Sequence, residues 1–315
     1  MEAIVVSEPG GPENLQLRDV PDPQPGPGQV LLDVVAAGVN RADLLQRQGL
    51  YPPPPGVSDI LGLEVSGTLD GQPVCALLAG GGYAQQVAVP SGQVMPLPPG
   101  VDPISAGGIP EVACTVYSNL AMTAHLRPGE WVLIHGGGSG IGTFAIQWAR
   151  AIGAHVAVTA GSAEKLERCA ELGAEVLINY REQDFVEALP QPVDVILDVV
   201  GAKYLESNIR ALADGGRLVV IGLQGGVKAE LNLNALLSKR ASITATSLRT
   251  RSDEQKVAIC EEVVANVWPL YGTGQIRPVI DRVLPLADAA EAHRILADGT
   301  AFGKVVLEMD VRSTP

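Results

Sequence analysis

The chain has 315 residues, which is enough for about two average domains. Hydrophobic residues make up 46% of it and charged residues 18%, a balance that excludes an intrinsically disordered chain. The formal net charge is −13 and no basic run is longer than the pair Lys239 and Arg240. We therefore expect no nucleic-acid partner, because neutralisation of phosphates by basic residues drives such binding.

The first 110 residues are rich in proline and glycine, and they alternate short apolar runs with turn residues. This texture predicts an irregular, β-rich domain. The predicted elements are strands over 30–35 and 83–89 and a short helix over 41–48.

From about residue 111 the pattern changes to buried strands that alternate with helices. This rhythm predicts a parallel sheet covered by helices on both faces, and six such strands predict one Rossmann domain. The helix after the second strand is expected to begin at the cap residue Ser162. The predicted strands are 131–135, 156–158, 176–178, 193–197, 218–221 and 241–246, and the predicted helices are 140–152, 163–172, 182–189 and 203–213.

After about residue 250 the sequence predicts a long helix over 253–270, strands over 279–284 and 304–308, and between them a helix capped by Asp288. We expect the strands at the two ends of the chain to complete one sheet system, so that the Rossmann domain is an insertion. The predicted fold class is α/β. The predicted domain boundaries are 1–115 with 250–315 for the β-rich domain and 116–249 for the Rossmann domain.

A glycine-rich segment, residues 136–142, joins the first Rossmann strand to its helix. It departs from strict GxGxxG spacing, but glycines permit close backbone approach, and a helix N-terminus offers N–H groups to a pyrophosphate. The segment therefore predicts a dinucleotide site, with a tight turn that binds nothing as the alternative. Its predicted contact residues are Gly138, Ser139, Gly140, Ile141 and Gly142.

The residues after the second strand favour NADPH over NADH. An NAD site usually has an acidic residue there for the ribose 2′-hydroxyl, and residues 143–163 contain none. The Ser162 hydroxyl, the Lys165 ammonium group and the Tyr180 phenol suit a 2′-phosphate instead. Alternatively, Lys165 is a solvated helix residue and Ser162 only a cap. The predicted contact residues in this region are Thr159, Ala160, Gly161, Ser162, Lys165 and Tyr180.

Two further groups of residues are predicted to approach the cofactor. Gly222 and Leu223 follow the fifth strand, and ligands bind at the carboxyl ends of such strands. Thr115 is expected to begin the helix that enters the Rossmann domain.

His135 ends a buried strand and is expected to be a structural histidine rather than a base. The four cysteines lack CxxC spacing and are expected to be buried as small hydrophobic side chains.

Many segments, in order along nearly the whole chain, resemble the zinc-free quinone oxidoreductases of the medium-chain dehydrogenase/reductase superfamily, and most closely the p53-inducible quinone oxidoreductase group. They include residues 40–44 (NRADL), 60–64 (ILGLE), 109–111 (IPE), 132–135 (VLIH) and 303–304 (GK). The chain departs from the pattern in a shortened segment between residues 67 and 74 and at Ala301.

The resemblance implies a GroES-like catalytic domain with an inserted Rossmann domain. It implies hydride transfer from NADPH to a quinone in the interdomain cleft, and a homodimer formed through the edge strand at 241–246. It adds Ser247, Leu248 and Arg249, which follow the sixth strand, to the cofactor residues; a surface ion pair is the alternative for Arg249. The N-terminus has no basic segment before an apolar run, and no apolar stretch is long enough to span a membrane, so we expect a soluble, cytoplasmic protein.

The resemblance also implies the catalytic residues. Zinc-containing relatives have a cysteine at the position of Asn40 and a histidine at that of Leu63, and a catalytic zinc needs about three protein ligands, so we expect no zinc. Asn40 and Tyr51 are the predicted catalytic residues that flank the cleft, with a turn cap and an aromatic plug as their alternative roles. Without a Lewis acid the acceptor must itself be electrophilic, as a quinone is.

Two other functions remain open at this point. One is the reduction of an activated double bond in an enal or enone by the same cofactor. The other is a cofactor-binding protein of low turnover with a structural, regulatory or RNA-binding role.

Overall fold

The computed structural model describes residues 1–309 and divides the chain into two compact units. Of the described residues, unit 1 contains 1–114 and 248–309, and unit 2 contains 115–247. Among the described residues, no helix is long and apolar enough to cross a membrane.

The first part of unit 1 consists mainly of short strands. The predicted strand over 83–89 begins only at Gln86, because Ala84 pairs with Ala3 outside the main sheet. The strands are β1 (Glu2–Val6), β2 (Leu15–Asp19), β3 (Gln29–Gly38), β4 (Glu64–Leu69), β5 (Gln72–Leu77), β6 (Gln86–Pro90) and β7 (Val94–Pro96), and the helices are α1 (Arg41–Arg47), α2 (Pro103–Ala106) and α3 (Pro110–Val116).

Unit 2 alternates strands and helices, as the sequence predicts. The strands are β8 (Trp131–His135), β9 (His155–Ala160), β10 (Val176–Asn179), β11 (Val193–Asp198), β12 (Leu212–Val220) and β13 (Ser242–Ala245). The helices are α4 (Gly140–Ala151), α5 (Ala163–Glu171), α6 (Phe185–Ala188), α7 (Leu205–Ala211) and α8 (Leu233–Ser238).

The six strands of unit 2 form one parallel sheet in the order β10-β9-β8-β11-β12-β13. Leu133 in the centre pairs with Ala157 on one side and Ile196 on the other, and all three are fully buried. Their burial explains the continuous apolar runs, because strands covered on both faces need no polar alternation. The predicted six-stranded Rossmann sheet is confirmed.

The chain enters this sheet at its centre, builds outward to β10 and then returns to β11 on the other side of β8. The connections that leave β8 and β11 therefore run in opposite directions. Such a switch point leaves a crevice at the carboxyl ends of the central strands, where ligands bind in folds of this class.

The last described elements return to unit 1. They are α9 (Asp253–Asn266), α10 (Trp268–Gly272), β14 (Ile280–Pro285), α11 (Ala289–Ala297) and β15 (Lys304–Glu308). β15 pairs antiparallel with β3, so the strands near the end of the chain join a seven-stranded sheet with β3–β7. β1 and β2 form a separate two-stranded sheet, so the expected single sheet system holds only in part.

Two predicted helix features are wrong in detail. The single helix expected over 253–270 is interrupted at Val267, because Pro269 cannot donate a backbone hydrogen bond and its ring clashes with the preceding turn. Asp288 precedes α11, but its side chain makes no capping hydrogen bond and its backbone (φ −90°, ψ 19°) is not extended.

Candidate active site

The glycine-rich segment closes tightly against the first turn of α4. Ser139 is the N-cap of this helix: its hydroxyl accepts a hydrogen bond from the Gly142 N–H (3.0 Å) and donates one to the Gly136 carbonyl (2.7 Å). A Cβ on residue 142 would lie 2.6 Å from the Gly137 Cα, so only glycine permits this approach. The segment is thereby shaped as a cradle at the positive end of a 12-residue helix.

A buried polar chain lies behind this cradle. His135 Nε2 lies 2.8 Å from Asn208 Oδ1, and the Asn208 amide nitrogen donates to Asp198 Oδ2 (3.1 Å). Nε2 must therefore carry the imidazole hydrogen, and Nδ1 accepts from the Thr159 hydroxyl at 3.0 Å. Burial lowers the pKa of His135 to about 4, so the ring is neutral at neutral pH. The prediction of a structural histidine is confirmed.

Thr159 supports the cradle from beneath. Its side chain is 1% exposed and its hydroxyl is engaged by His135. Its carbonyl accepts hydrogen bonds from the N–H groups of Gly136 (3.1 Å) and Gly137 (2.9 Å). The structure thus gives this predicted contact residue a positioning role.

The start of α5 and the end of β10 meet beside Gly161. A Cβ on residue 161 would lie 2.7 Å from the Tyr180 hydroxyl and 3.3 Å from Arg181 Nε. Ser162 caps α5 by accepting from the Lys165 N–H (3.4 Å), and this bond leaves the hydroxyl hydrogen of Ser162 available as a donor. Cap and ligand are therefore compatible roles for Ser162.

Arg181 is the residue that the sequence analysis missed here. It is exposed and follows Tyr180, which is itself 45% exposed. The available signal was a cationic residue immediately after a predicted donor at the end of the third strand. We name the group formed by Gly161, Ser162, Lys165, Tyr180 and Arg181 the cationic corner.

The other contact residues predicted in unit 2 lie after neighbouring strands. Gly222 follows β12, and a Cβ there would lie 2.7 Å from the Val199 carbonyl oxygen, so glycine lets the segments after β11 and β12 touch. Leu223 is 53% exposed. Because the sheet is parallel, one edge collects Gly138, Ser139, Gly140, Ile141, Gly142, Thr159, Ala160, the cationic corner, Gly222, Leu223 and Ser247.

Thr115 does not begin a helix, contrary to the expectation. It lies near the end of α3, which begins at Pro110 and continues into a π-helical segment, Tyr117–Thr123. The Thr115 carbonyl accepts from the Asn119 amide (2.7 Å), whose oxygen accepts from the Thr246 hydroxyl (2.6 Å). This link ties Thr115 to the end of β13.

In unit 1, Asn40 belongs to a buried charged cluster. Its amide nitrogen donates to Glu64 Oε1 (2.9 Å), and its amide oxygen accepts from Lys304 Nζ (2.6 Å). Lys304 and Glu64 form a direct ion pair at 2.6 Å, and both are buried. The backbone N–H of Asn40 donates to Asp43 Oδ2 (2.8 Å), so Asn40 also stands at the start of α1, as the turn-cap alternative requires.

These residues do not fit a catalytic zinc ion. Leu63 supplies no donor atom, and the oxygens of Asn40 and Glu64 surround the ammonium group of Lys304. A divalent cation at this position would be repelled by that ammonium group. Among residues 1–309, no group of three histidine, cysteine or acidic side chains could hold a metal ion. All four cysteines are free thiols and buried, as predicted.

A second polar cluster lies next to the first. Tyr83 donates to Asp43 Oδ2 (3.1 Å) and lies 3.3 Å from His293 Nε2, while Arg47 lies 3.2 Å from His293 Nδ1. Burial raises the pKa of Asp43 to about 6 and lowers that of His293 to about 3. Burial therefore keeps the His293 ring neutral at neutral pH and makes the Asp43 carboxyl harder to ionise.

Arg249 is buried in unit 1, so the surface ion pair considered for it is wrong. It is 5% exposed, and its guanidinium carbon lies 5.2 Å from the centre of the Tyr51 ring. Leu248 also lies in unit 1. Tyr51 is half-buried in a loop without regular structure.

Comparisons with known proteins agree with this architecture. Residues 26–99 match the alcohol dehydrogenase GroES-like domain and residues 140–261 the zinc-binding dehydrogenase family. The quinone oxidoreductase of Lama guanicoe is 34% identical over 98% of this chain and 97% of its own length. The chain belongs to the quinone oxidoreductases of the medium-chain dehydrogenase/reductase superfamily.

Two other relatives widen the comparison within this superfamily. A solved structure of the quinone oxidoreductase from Thermus thermophilus, studied also in complex with NADPH, is 37% identical with a TM-score of 0.86, and covers 98% of this chain and 100% of that one. The 2-haloacrylate reductase of a Burkholderia species is 29% identical over 97% of this chain and 98% of its own length. The predicted α/β fold, with a GroES-like and a Rossmann domain, is confirmed, while membership of the p53-inducible group stays a prediction.

Proposed function

We propose that this chain transfers hydride from NADPH to a quinone. The observation that carries the proposal is the cationic corner, which stands where an NAD site would have an acidic residue. Unit 2 would bind the cofactor and unit 1 the acceptor. The quinone oxidoreductases among the relatives, one of them solved with NADPH, support this reading.

The residues of unit 2 fit a dinucleotide phosphate. Five of the seven residues of the cradle, 136–142, are glycines, which leave the backbone open to a pyrophosphate, and the helix dipole favours negative charge at the start of α4. Lys165 and Arg181 would balance the charge of a 2′-phosphate, and the Ser162 hydroxyl would donate to it. When bound, NADPH supplies the hydride.

The residues of unit 1 would orient the acceptor. Glu64 and Lys304 fix both polar atoms of the Asn40 amide, so this side chain presents one geometry. In this proposal the Tyr51 phenol donates a hydrogen bond to a reduced quinone oxygen, whose charge is delocalised over an aromatic ring. With no zinc expected, orientation rather than Lewis-acid activation has to supply most of the rate. Metal analysis of the purified protein should accordingly find far less than one zinc per chain.

A second candidate function is the reduction of an activated carbon–carbon double bond. The resemblance to 2-haloacrylate reductase over almost the whole chain supports it. The cofactor site would be the same and only the acceptor would differ.

The test is NADPH oxidation at 340 nm with ortho- and para-quinones, enals and 2-haloacrylate, repeated with NADH. We expect rapid turnover with quinones and NADPH, and little with NADH. Turnover confined to enals or 2-haloacrylate would replace the proposal with the second candidate. Tight NADPH binding without turnover of any acceptor would contradict both. A Tyr51→Phe variant that keeps full turnover would remove the role assigned to the phenol.

We further propose a homodimer that pairs through β13, the edge strand of the sheet in unit 2. An exposed edge strand presents unpaired N–H and C=O groups that favour pairing with another strand. Two large apolar side chains, Leu233 and Leu237, are 68% and 75% exposed on α8, the helix that precedes β13.

A further inference from the structure

Arg249 makes a set of contacts that the proposed cofactor role does not explain. Its Nε donates to the Ala79 carbonyl (2.7 Å), one terminal nitrogen to the Tyr51 carbonyl (3.3 Å) and the other to Gln46 Oε1 (2.7 Å). Its guanidinium also lies over the Tyr51 ring, at the distance of a cation–π contact. One side chain thus joins α1, the loop that begins at Tyr51 and the segment after β5.

The same three segments are tied by neighbouring bonds. The Gln46 amide, which accepts from Arg249 through its oxygen, donates through its nitrogen to the Asp59 carbonyl (3.0 Å). The Gly81 N–H donates to the Ile60 carbonyl (2.7 Å). The loop over residues 51–60 is therefore held at both ends, by Arg249 at Tyr51 and by Gln46 and Gly81 at residues 59 and 60.

The loop depends on these ties because it has little structure of its own. It contains neither helix nor strand, and four successive prolines, residues 52–55, remove backbone donors. The acceptors of the three Arg249 hydrogen bonds are all neutral. A buried guanidinium without a carboxylate in its hydrogen bonds is costly, so its fork geometry rather than charge pairing explains an arginine at this position.

We propose that Arg249 is a positioning residue for the acceptor loop: it fixes the Tyr51 ring and the chain that follows it, and thereby sets the affinity for the acceptor rather than for NADPH. The inference rests on the proposed function, since it assigns Tyr51 to the acceptor. It differs from the expectation that Arg249 contacts the cofactor directly, and the experiment below distinguishes the two roles.

The experiment compares Arg249→Met and Arg249→Lys with the wild type and with Arg251→Met, a matched control two residues along the same segment. Three quantities are measured: the Kd for NADPH by fluorescence titration without acceptor, the KM and kcat for a quinone, and hydrogen exchange of the peptide covering residues 50–60. For Arg249→Met we expect a quinone KM raised by about tenfold, a change in NADPH Kd below about twofold, and exchange several-fold faster. The quinone KM and the exchange rate of Arg249→Lys should lie between those of the wild type and of Arg249→Met, because an ammonium group keeps the charge but cannot span three acceptors.

The opposite pattern would overturn the proposal. A NADPH Kd weakened by about tenfold, with unchanged exchange over residues 50–60, would make Arg249 a cofactor ligand. If Arg249→Met does not fold, Gln46→Ala removes one acceptor of the same clamp and should raise the quinone KM and the exchange in the same direction; no change in either would also contradict the proposal. Wild-type protein that binds NADPH but reduces no quinone would refute the proposed function, while the exchange data would still decide whether Arg249 holds the loop.

Discussion

Under the proposed function, single side chains decide which cofactor unit 2 accepts. In the cationic corner, the Tyr180 hydroxyl and the Arg181 guanidinium lie beside Gly161, whose missing side chain makes the room, and Ser162 and Lys165 follow along the chain. An NAD-type acidic residue in the same position would repel a 2′-phosphate and accept a hydrogen bond from a 2′-hydroxyl. The proposal therefore assigns selectivity between the two cofactors to charge at a few positions.

Arg181→Ala should weaken NADPH binding and leave NADH binding unchanged. A charge-assisted hydrogen bond at an exposed site contributes about 1 kcal/mol, which corresponds to about a fivefold rise in the NADPH Kd. Lys165→Ala should act in the same way. The measurement is fluorescence titration with each cofactor, and Arg210→Ala, on an exposed position of α7, is the control. Equal weakening of NADPH and NADH would show that Arg181 does not contact the 2′-phosphate.

Four buried titrating groups make opposing contributions to the pH dependence of the free energy of unfolding. Burial lowers the pKa of His135 to about 4 and of His293 to about 3, so the stability they provide is lost as pH falls below 6.5. Burial raises the pKa of Asp43 and of Asp198 to about 6, so the stability linked to them is lost as pH rises from 4 to 6. Two imidazoles thus oppose two carboxyls, and we expect the contributions of these four groups nearly to cancel between pH 4.5 and 6.

Asp198→Asn should make the free energy of unfolding depend more steeply on pH. With one raised carboxyl removed, the free energy of unfolding should fall by about 2 kcal/mol more than in the wild type between pH 6 and pH 4.5. Urea unfolding at several pH values measures the difference. The substitution also disturbs the hydrogen bonds to the N–H groups of Val200 and Gly201, so the comparison is the slope with pH and not the absolute stability. If the free energy of unfolding changed equally with pH in the variant and the wild type, the raised pKa of Asp198 would be contradicted.

At the scale of elements, the shape of the proposed cofactor site in unit 2 depends on how closely the start of a helix approaches the strand before it. α4 begins within hydrogen-bond distance of the segment that leaves β8, and Gly142 is the point of contact. Under the proposed function, the same close approach that packs the helix brings its positive end to the pyrophosphate.

Gly142→Ala should therefore damage both packing and binding. The added methyl group would meet the Gly137 Cα and the Gly136 carbonyl oxygen, and relief of this overlap costs about 2 kcal/mol and displaces the cradle. We expect a lower midpoint of thermal unfolding and a NADPH Kd raised by more than about tenfold. Gly26→Ala is the control, because its nearest new contact is a flexible glutamine end at 3.4 Å. Unchanged NADPH affinity in Gly142→Ala would refute this role of the helix start.

At the scale of the whole molecule, the sheet of unit 2 ends in a strand that lacks a neighbour on one side within the described residues. Thr244 is an exposed residue at the middle of that strand. If two copies pair here, Thr244→Lys should convert the dimer to a single chain, since charged edge residues oppose strand pairing. Sedimentation velocity at micromolar concentration measures this, with Gln16→Lys on the exposed strand β2 as control. A wild-type protein that sediments as one chain would refute the dimer.

The rhythm of the sequence was sufficient to predict the six-stranded sheet and the glycine cradle. Both follow from local causes: buried parallel strands read as continuous apolar runs, and a strand–glycine–helix turn has a recognisable composition. The absence of an acidic residue over residues 143–163, where an NAD site usually has one, is likewise readable without coordinates. The ends of helices and strands were less well predicted. Near Pro269 the helical pattern of the sequence continues, although a proline interrupts the helix itself.

Only the tertiary structure brought together the partners of the predicted catalytic residues. Lys304 reaches Asn40 across 264 residues because β15 pairs with β3, and Arg249 reaches Tyr51 across 198 residues. Such contacts depend on the pairing and register of distant strands, and no local pattern encodes them. The sequence by itself thus determined the kind of fold and the place of the proposed cofactor site, whereas the surroundings of Asn40 and Tyr51, and with them the inferred role of Arg249, were decided by long-range packing.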